Sequence, residues 1–170
     1  MKKDKPLNTE RRLRSYQKAT LFLFYPFLLD FMSNALGSFV EDYDFCLSFA
    51  STRSLMLFLR GTSLSGSVSF SLFLGDALSF VLLLFSIFLT LKAAKGKKYP
   101  VLIALSLFVL DMGYNAFLYM PGILFRMSLV SYILSLLLHA LFVFLASHLL
   151  WKYDKLSGLL KEERKEGKNQ

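Results

Sequence analysis

Four apolar blocks, each about 20 residues or longer, dominate this chain of 170 residues. At about 1.5 Å of rise per residue, a helix of about 20 residues crosses the roughly 30 Å of hydrocarbon in a lipid bilayer. The hydrophobic fraction of 55% also exceeds the roughly 45–50% of soluble domains. We therefore predict an all-α, polytopic membrane protein with four transmembrane helices, at about residues 19–40, 68–91, 101–120 and 123–151.

The connections between these blocks leave no room for a separate soluble domain. Residues 1–18 form a basic amino-terminal segment, residues 19–151 the four-span membrane domain, and residues 152–170 a charged tail. One connection is long, at residues 41–67. Its apolar runs are too short to span, so we expect it to lie along the outer membrane surface with an interfacial helix in it.

The positive charges lie almost entirely on one side of a four-span arrangement. Of the 20 lysine and arginine residues, 17 fall in the two terminal segments and in the loop at residues 92–98. Only Arg53, Arg60 and Arg126 fall on the other side. Because basic residues are retained on the cytoplasmic side, we predict a multi-pass protein of the cell membrane with both termini in the cytoplasm.

The same charges predict the partners. Basic segments beside a bilayer attract anionic lipid headgroups, so we expect contact with these lipids as well as with the bilayer core. No aromatic-basic stacking motif accompanies the charges, so no nucleic acid is expected. Four spans make a thin wall around any pathway, which favours a homo-oligomer or a larger membrane complex.

The first block has one competing interpretation, a cleavable signal peptide, because basic residues, an apolar run and the sequence Ala35-Leu36-Gly37 imitate one. The block continues past this point to full spanning length. Its polar phrase also recurs in the third block, which cannot be a signal. We interpret it as a retained span.

That polar phrase is L-D-x-x-x-N-A followed by a bulky apolar residue. The first copy holds Asp30 and Asn34, and the second holds Asp111 and Asn115. A carboxylate in the hydrocarbon core costs at least about 2.5–3.5 kcal/mol, so both acids need a structural or functional reason. The first and third spans run in the same direction, and the repeat therefore predicts two helical hairpins in a parallel arrangement. The second and fourth spans match less well.

Polar residues recur at helical spacing in every span, and each such stripe should face the interior of the bundle. The stripes of the first and third spans contain the two copies of the phrase, and those of the second and fourth contain Asp76 and His139. We expect a mid-membrane ligand- or ion-binding cluster made of Asp30, Asn34, Asp76, Asp111, Tyr114, Asn115 and His139.

The charge count of this cluster suggests a function. The predicted core contains three carboxylates and no lysine or arginine, and His139 is its only base. Burial penalises uncompensated charge, so the cluster should take up protons or hold a cation. We hypothesise binding and translocation of a proton, a small cation or a cationic solute. Asp30 and Asp111 would compensate charge, Asn34 and Asn115 would orient them, and His139 would relay a proton or counterbalance the acids.

Two alternatives stay open. In the first, the polar residues only clamp helices together in a non-catalytic accessory or regulatory membrane subunit. In the second, the protein is an intramembrane metal-dependent enzyme, although one histidine with scattered acids is a weak metal pattern. Enzyme and phosphate-loop signatures are absent from the sequence, so we assign no catalytic residue and no cofactor. Cys46 is the only cysteine, so no internal disulfide can form.

Overall fold

The computed structural model describes residues 5–40, 47–62, 68–118 and 129–168, and these residues form helices joined by turns. In chain order the helices are α1 (Lys5–Ala19), a 3₁₀ turn (Thr20–Leu23), α2 (Tyr25–Phe39), α3 (Ala50–Thr62), α4 (Val68–Ala94), α5 (Tyr99–Leu118) and α6 (Leu129–Lys168).

Four helical stretches are long and apolar enough to cross a membrane. They are Arg11–Phe39, Phe73–Ala94, Tyr99–Phe117 and Leu129–Leu159. The prediction of an all-helical chain with four candidate spans is therefore confirmed. The first stretch begins earlier than the sequence indicated, because α1 continues into the apolar block.

The first span changes helical geometry where α1 gives way to α2. Thr20 Oγ1 donates to the Gln17 carbonyl over 2.6 Å, and the Phe24 N–H donates to the Leu21 carbonyl over 3.0 Å. Pro26 then occupies the first turn of α2, where an amide N–H would have no partner within the helix. The proline therefore restarts the helix within the span.

One end of the bundle gathers α1, the turn between α4 and α5, and the part of α6 that follows Trp151; we call it the basic end. Gly96 makes the turn with a φ of +76°, a conformation that glycine adopts without strain. Lys98 and Asp154 form an ion pair of 2.9 Å across this end. Gln17 Nε2 donates to the Ala94 carbonyl over 3.5 Å. The helix α6 extends without interruption through the predicted charged tail.

Four phenylalanine rings pack together in the interior, and we call them the aromatic layer. Phe27 lies 5.2 Å from Phe49 and 5.7 Å from Phe108, and Phe142 lies 5.7 Å from Phe108, measured between ring centroids. The rings come from α2, from the residue before α3, from α5 and from α6. Three of them lie one helical turn from the polar residues of their own helix, on the side of the basic end. The aromatic layer therefore borders the polar cluster on that side.

The position of α3 differs from the one predicted, which was along the outer membrane surface. One side of its first two turns is buried, where Ala50, Thr52, Arg53 and Met56 are each no more than 2% exposed. Ser51 is exposed on the other side, and Phe58 is 64% exposed. The apolar runs of residues 41–67 predicted a helix whose apolar face meets lipid. In the structure the polar first turn of α3 points inward instead, against α2, α4 and α5.

Parts of the predicted connections and spans lie outside the described residues. These are residues 41–46 with Cys46, residues 63–67, and residues 119–128, which include Arg126.

The helices α3 and α4 approach closely at Gly75. A Cβ atom added at Gly75 would overlap the buried Met56 side chain. This glycine belongs to a spacing of small residues that favours close packing of helices in membranes. The absence of a side chain at Gly75 therefore lets α3 sit inside the bundle.

We expect Gly75→Val to lower the free energy of unfolding by about 1–3 kcal/mol, because the added methyl groups overpack a site that Met56 fills. Thermal or denaturant unfolding of the full chain in detergent measures the change. Gly113→Val in α5 is the matched control, because a Cβ there meets nothing within 4 Å. Equal losses from the two substitutions would contradict the close approach of α3 and α4.

Candidate functional site

The two repeated acids converge on one helical turn, the first turn of α3. The Arg53 N–H donates to the Phe49 carbonyl over 2.8 Å, so Phe49 occupies the N-cap position. The amide groups at the start of a helix have no partner within it and must bond elsewhere. In a buried helix that need is acute, because an unpaired buried N–H is costly. Asp30 of α2 and Asp111 of α5 both accept hydrogen bonds from amide groups at this helix end.

Asp30 is fully buried and holds the N-cap residue. Its Oδ1 accepts a hydrogen bond of 2.8 Å from the Phe49 N–H and one of 2.5 Å from the Thr52 hydroxyl. Asn34 Nδ2, one turn further along α2, donates to the same oxygen over 3.2 Å. The other oxygen, Oδ2, is buried and accepts no hydrogen bond from the described residues.

Asp111 binds the next two amides of the same turn. Its Oδ2 accepts from the Ala50 N–H over 2.7 Å, and its Oδ1 accepts from the Ser51 N–H over 3.0 Å and the Ser51 hydroxyl over 2.7 Å. A helix amino terminus carries partial positive charge, so both carboxylates lie where a helix favours an anion. The amino end of α3 thus supplies part of the compensation that the sequence appeared to lack.

His139 joins Asp111 from α6, and both of its ring nitrogens face oxygen atoms. Nε2 lies 2.7 Å from Asp111 Oδ2, and Nδ1 lies 2.6 Å from the Ser135 carbonyl oxygen. A carbonyl oxygen only accepts, so Nδ1 must carry a hydrogen. The contact with Asp111 then needs a second proton, held either on Nε2 or on the carboxyl group. In both forms the Asp111–His139 pair is neutral overall and holds one exchangeable proton between its members.

The sequence predicts Arg53 outside the core, but the structure buries its side chain. It is 2% exposed. Its Nη2 donates to Asn115 Oδ1 over 2.5 Å and its Nη1 to the Ser135 hydroxyl over 3.1 Å. The predicted core without lysine or arginine was therefore wrong. With Arg53 inside, the charge of Asp30 has a buried cationic counterpart, and the Asp111–His139 pair balances itself.

The two asparagines of the repeat are both buried and bonded, but to different partners. Asn34 donates to Asp30 and, over 2.5 Å, to the Ser79 hydroxyl of α4, and its Oδ1 accepts from Ser48 over 2.9 Å. Asn34 thus contacts the acid of its own copy of the repeat. Asn115 instead accepts from Arg53 and donates to Ser135 over 3.2 Å.

Two predicted members lie outside this cluster. Tyr114 is 40% exposed on the outer face of α5. A residue three positions from Asp111 falls on the edge of its stripe, and here that edge faces outward. Asp76 is half-buried and accepts a hydrogen bond of 2.9 Å from Ser38. It flanks the cluster through Ser38, whose hydroxyl also donates to the Asn34 carbonyl over 3.2 Å.

Sequence reasoning missed the residues of the long connection that complete the site, namely Ser48, Ser51, Thr52 and Arg53. Hydroxyl residues at the start of an apolar run are a signal for a helix amino terminus. On this signal, the hydroxyl residues of the connection would have predicted the start of a helix there, whose first amide groups need hydrogen-bond partners. Its acidic partners lie on distant helices and leave no local mark.

The donor set does not resemble a metal site. Within residues 5–40, 47–62, 68–118 and 129–168, no three His, Cys, Asp or Glu side chains come together to hold an ion. No protein-family model, curated protein or solved structure matches this chain significantly. The chemistry available to the site is therefore derived from its own residues: its two acids bind amides of the α3 amino terminus, and the Asp111–His139 pair shares one proton.

We expect Asp111→Ala to free the amides of Ala50 and Ser51 and to lower the free energy of unfolding by about 2–4 kcal/mol. Loss of a helix cap costs about 0.5–2 kcal/mol, and leaving buried donors unpaired costs about 1–3 kcal/mol. Hydrogen exchange at these two amides should become faster while exchange in α4 changes little. Asp76→Ala is the control, because that half-buried acid accepts a hydrogen bond from Ser38 of α2 and caps no amide of α3 in the described structure. Equal exchange in both variants would contradict the capping role.

Nitrogen-15 NMR of labelled histidine tests the protonation of the pair. In a His148→Gln background only His139 gives signals, because the chain has two histidines. We expect a protonated Nδ1 with an Nε2 signal typical of a shared or bound proton. A bare Nδ1 beside the Ser135 carbonyl would contradict the assignment.

Proposed function

We propose that this chain is a proton-binding membrane protein, and that it translocates protons through the Asp111–His139 pair. The observation that carries the proposal is the placement of both His139 ring nitrogens against oxygen atoms, which requires a bound proton between His139 and Asp111. A pair that holds one labile proton between an acid and a base is a common element of proton relays.

A proton suits the site better than a small cation or a cationic solute. Three of the four carboxylate oxygens of Asp30 and Asp111 already accept hydrogen bonds from α3. A metal ion or an amine would have to displace those amides and uncap the helix. It would also lie near the buried guanidinium of Arg53. A proton needs no such space.

The relay would use the hydroxyl groups of the α3 turn. Ser51 donates to Asp111 and its neighbour Thr52 donates to Asp30, so adjacent hydroxyls touch the two acids. Asp30 Oδ2, which accepts no hydrogen bond from the described residues, is the oxygen open to a proton. A proton that leaves the Asp111–His139 pair would therefore pass by way of the α3 turn to Asp30.

Charge distribution supports an orientation for this transfer. The basic end holds the excess of lysine and arginine, and by the positive-inside rule we place it in the cytoplasm of a cell, with both termini inside. The Asp111–His139 pair and Asp30 would then lie in the membrane interior. Because four spans form a thin wall, we propose a homo-oligomer as the working unit.

Proton flux into liposomes tests the proposal. Full-length protein is reconstituted around an internal pH-sensitive dye, and an acid step is applied outside with the membrane potential clamped by potassium and valinomycin. We expect the wild type to acidify the lumen faster than protein-free liposomes. Asp111→Asn and His139→Gln should each reduce that rate at least about tenfold, the scale of losing one proton-transfer group.

Asp76→Asn is the matched control, because it neutralises an acid of another span, α4, that lies outside the Asp111–His139 pair. It should keep most of the flux. Circular dichroism and size-exclusion chromatography confirm that each variant stays folded. Wild-type flux equal to that of empty liposomes, or full flux in folded Asp111→Asn, would overturn the proposal.

A second candidate is a non-catalytic membrane subunit, and one observation favours it. Most polar atoms of the cluster are bonded to a neighbour, and the aromatic layer closes the side toward the basic end. Such packing would suit a clamp that fixes α3 for assembly with another protein. Under this candidate the wild type conducts no protons, and the same substitutions lower only the free energy of unfolding.

A further inference from the structure

A second site lies far from the acids, at the basic end where α1 meets α6. A groove of about 750 Å³ opens there. Of the described residues that line it, four are basic and none is acidic. The lining consists of Arg11, Arg14, Ser15, Lys18, Ala19, Phe22 and Lys152.

The basic residues of the groove are held on one face of a fixed helix. Arg11, Arg14 and Lys18 follow one another at intervals of three or four residues, which places them on the same side of α1. The opposite side is anchored by Tyr16, which is 1% exposed and whose ring lies 5.7 Å from that of Tyr153 in α6. The packing of Tyr16 against α6 therefore positions the cationic face of α1.

The groove lies where both helices change from polar to apolar sequence. Lys18 is the last basic residue before the first apolar block, and Lys152 is the first after the fourth. On the apolar side of these lysines, Leu21 and Phe22 are 50% and 42% exposed. In a membrane this level is that of the headgroups, with the acyl chains beginning one turn deeper.

We propose that this groove binds the phosphate-bearing headgroup of an anionic phospholipid, with an acyl chain lying along Phe22. Arginine and lysine side chains supply the donors that phosphate oxygens accept. The adjoining apolar surface of Leu21 and Phe22 favours an amphiphile over free phosphate. The site is separate from the Asp111–His139 pair, so it does not rest on proton transfer.

Trp151 provides a built-in reporter, because it is the only tryptophan and directly precedes Lys152. Full-length protein is reconstituted in phosphatidylcholine vesicles that contain graded fractions of brominated phosphatidylglycerol or brominated phosphatidylcholine. Bromine quenches tryptophan fluorescence on contact. We expect the anionic lipid to quench with about fivefold or higher preference, which corresponds to the roughly 1 kcal/mol of one well-placed cation.

The double variant Arg11→Gln/Lys18→Gln should lose this preference, and Arg11→Lys/Lys18→Arg should retain it. Lys95→Gln/Lys97→Gln removes the same charge from the α4–α5 turn and should also retain it. Circular dichroism confirms folding; if the first variant does not fold, Lys152→Gln is compared instead and should lower the preference.

Three outcomes would overturn the proposal. One is an unchanged preference in the folded groove variants. Another is an equal loss in the Lys95/Lys97 control, which would indicate general surface charge. The third is loss of the preference when excess inorganic phosphate replaces chloride at constant ionic strength, which would identify free phosphate as the ligand.

Discussion

The buried amino terminus of α3 is the constraint on which the rest of this structure depends. A helix that starts among apolar spans brings unpaired amides and a positive dipole end into a region without water to receive them. Asp30 and Asp111 bind three of those amides from two different spans. Burying the acids without the helix end, or the helix end without the acids, would raise the free energy of the folded state. This mutual stabilisation explains why the carboxylates and the helix amino terminus occur together in so apolar a chain.

The same arrangement links the charge balance of the cluster to the position of α3. Arg53 lies one turn after the capped amides and binds Asn115 and Ser135, so α3 is tied to α5 and α6 as well as to α2. Any change in the proton held by Asp111 and His139 alters the acceptor that Ala50 binds. If the Asp111–His139 pair transfers protons as proposed, proton transfer and the anchoring of α3 use the same contacts.

Sequence predicted those features that depend on local pattern. Apolar length alone gave the four candidate spans, and helical spacing correctly placed Asp30, Asn34, Asn115 and His139 in the interior. Arg53 was missed because two of its partners, Asn115 and Ser135, lie 62 and 82 residues away in the sequence. Tyr114 was misplaced because a stripe predicted from spacing has edges whose direction only the neighbouring helices decide.

The order of the contacts along the chain has a consequence for biogenesis. When α3 leaves the ribosome, Asp30 and Asn34 are already made, but Asp111, Asn115, Ser135 and His139 are encoded later. Contacts that close over separations of 60 residues or more must wait for the second half of the protein. Until then the guanidinium lacks Asn115 and Ser135, and of the three capped amides only that of Phe49 has its acid, Asp30. The final seating of α3 therefore depends on the second half of the chain.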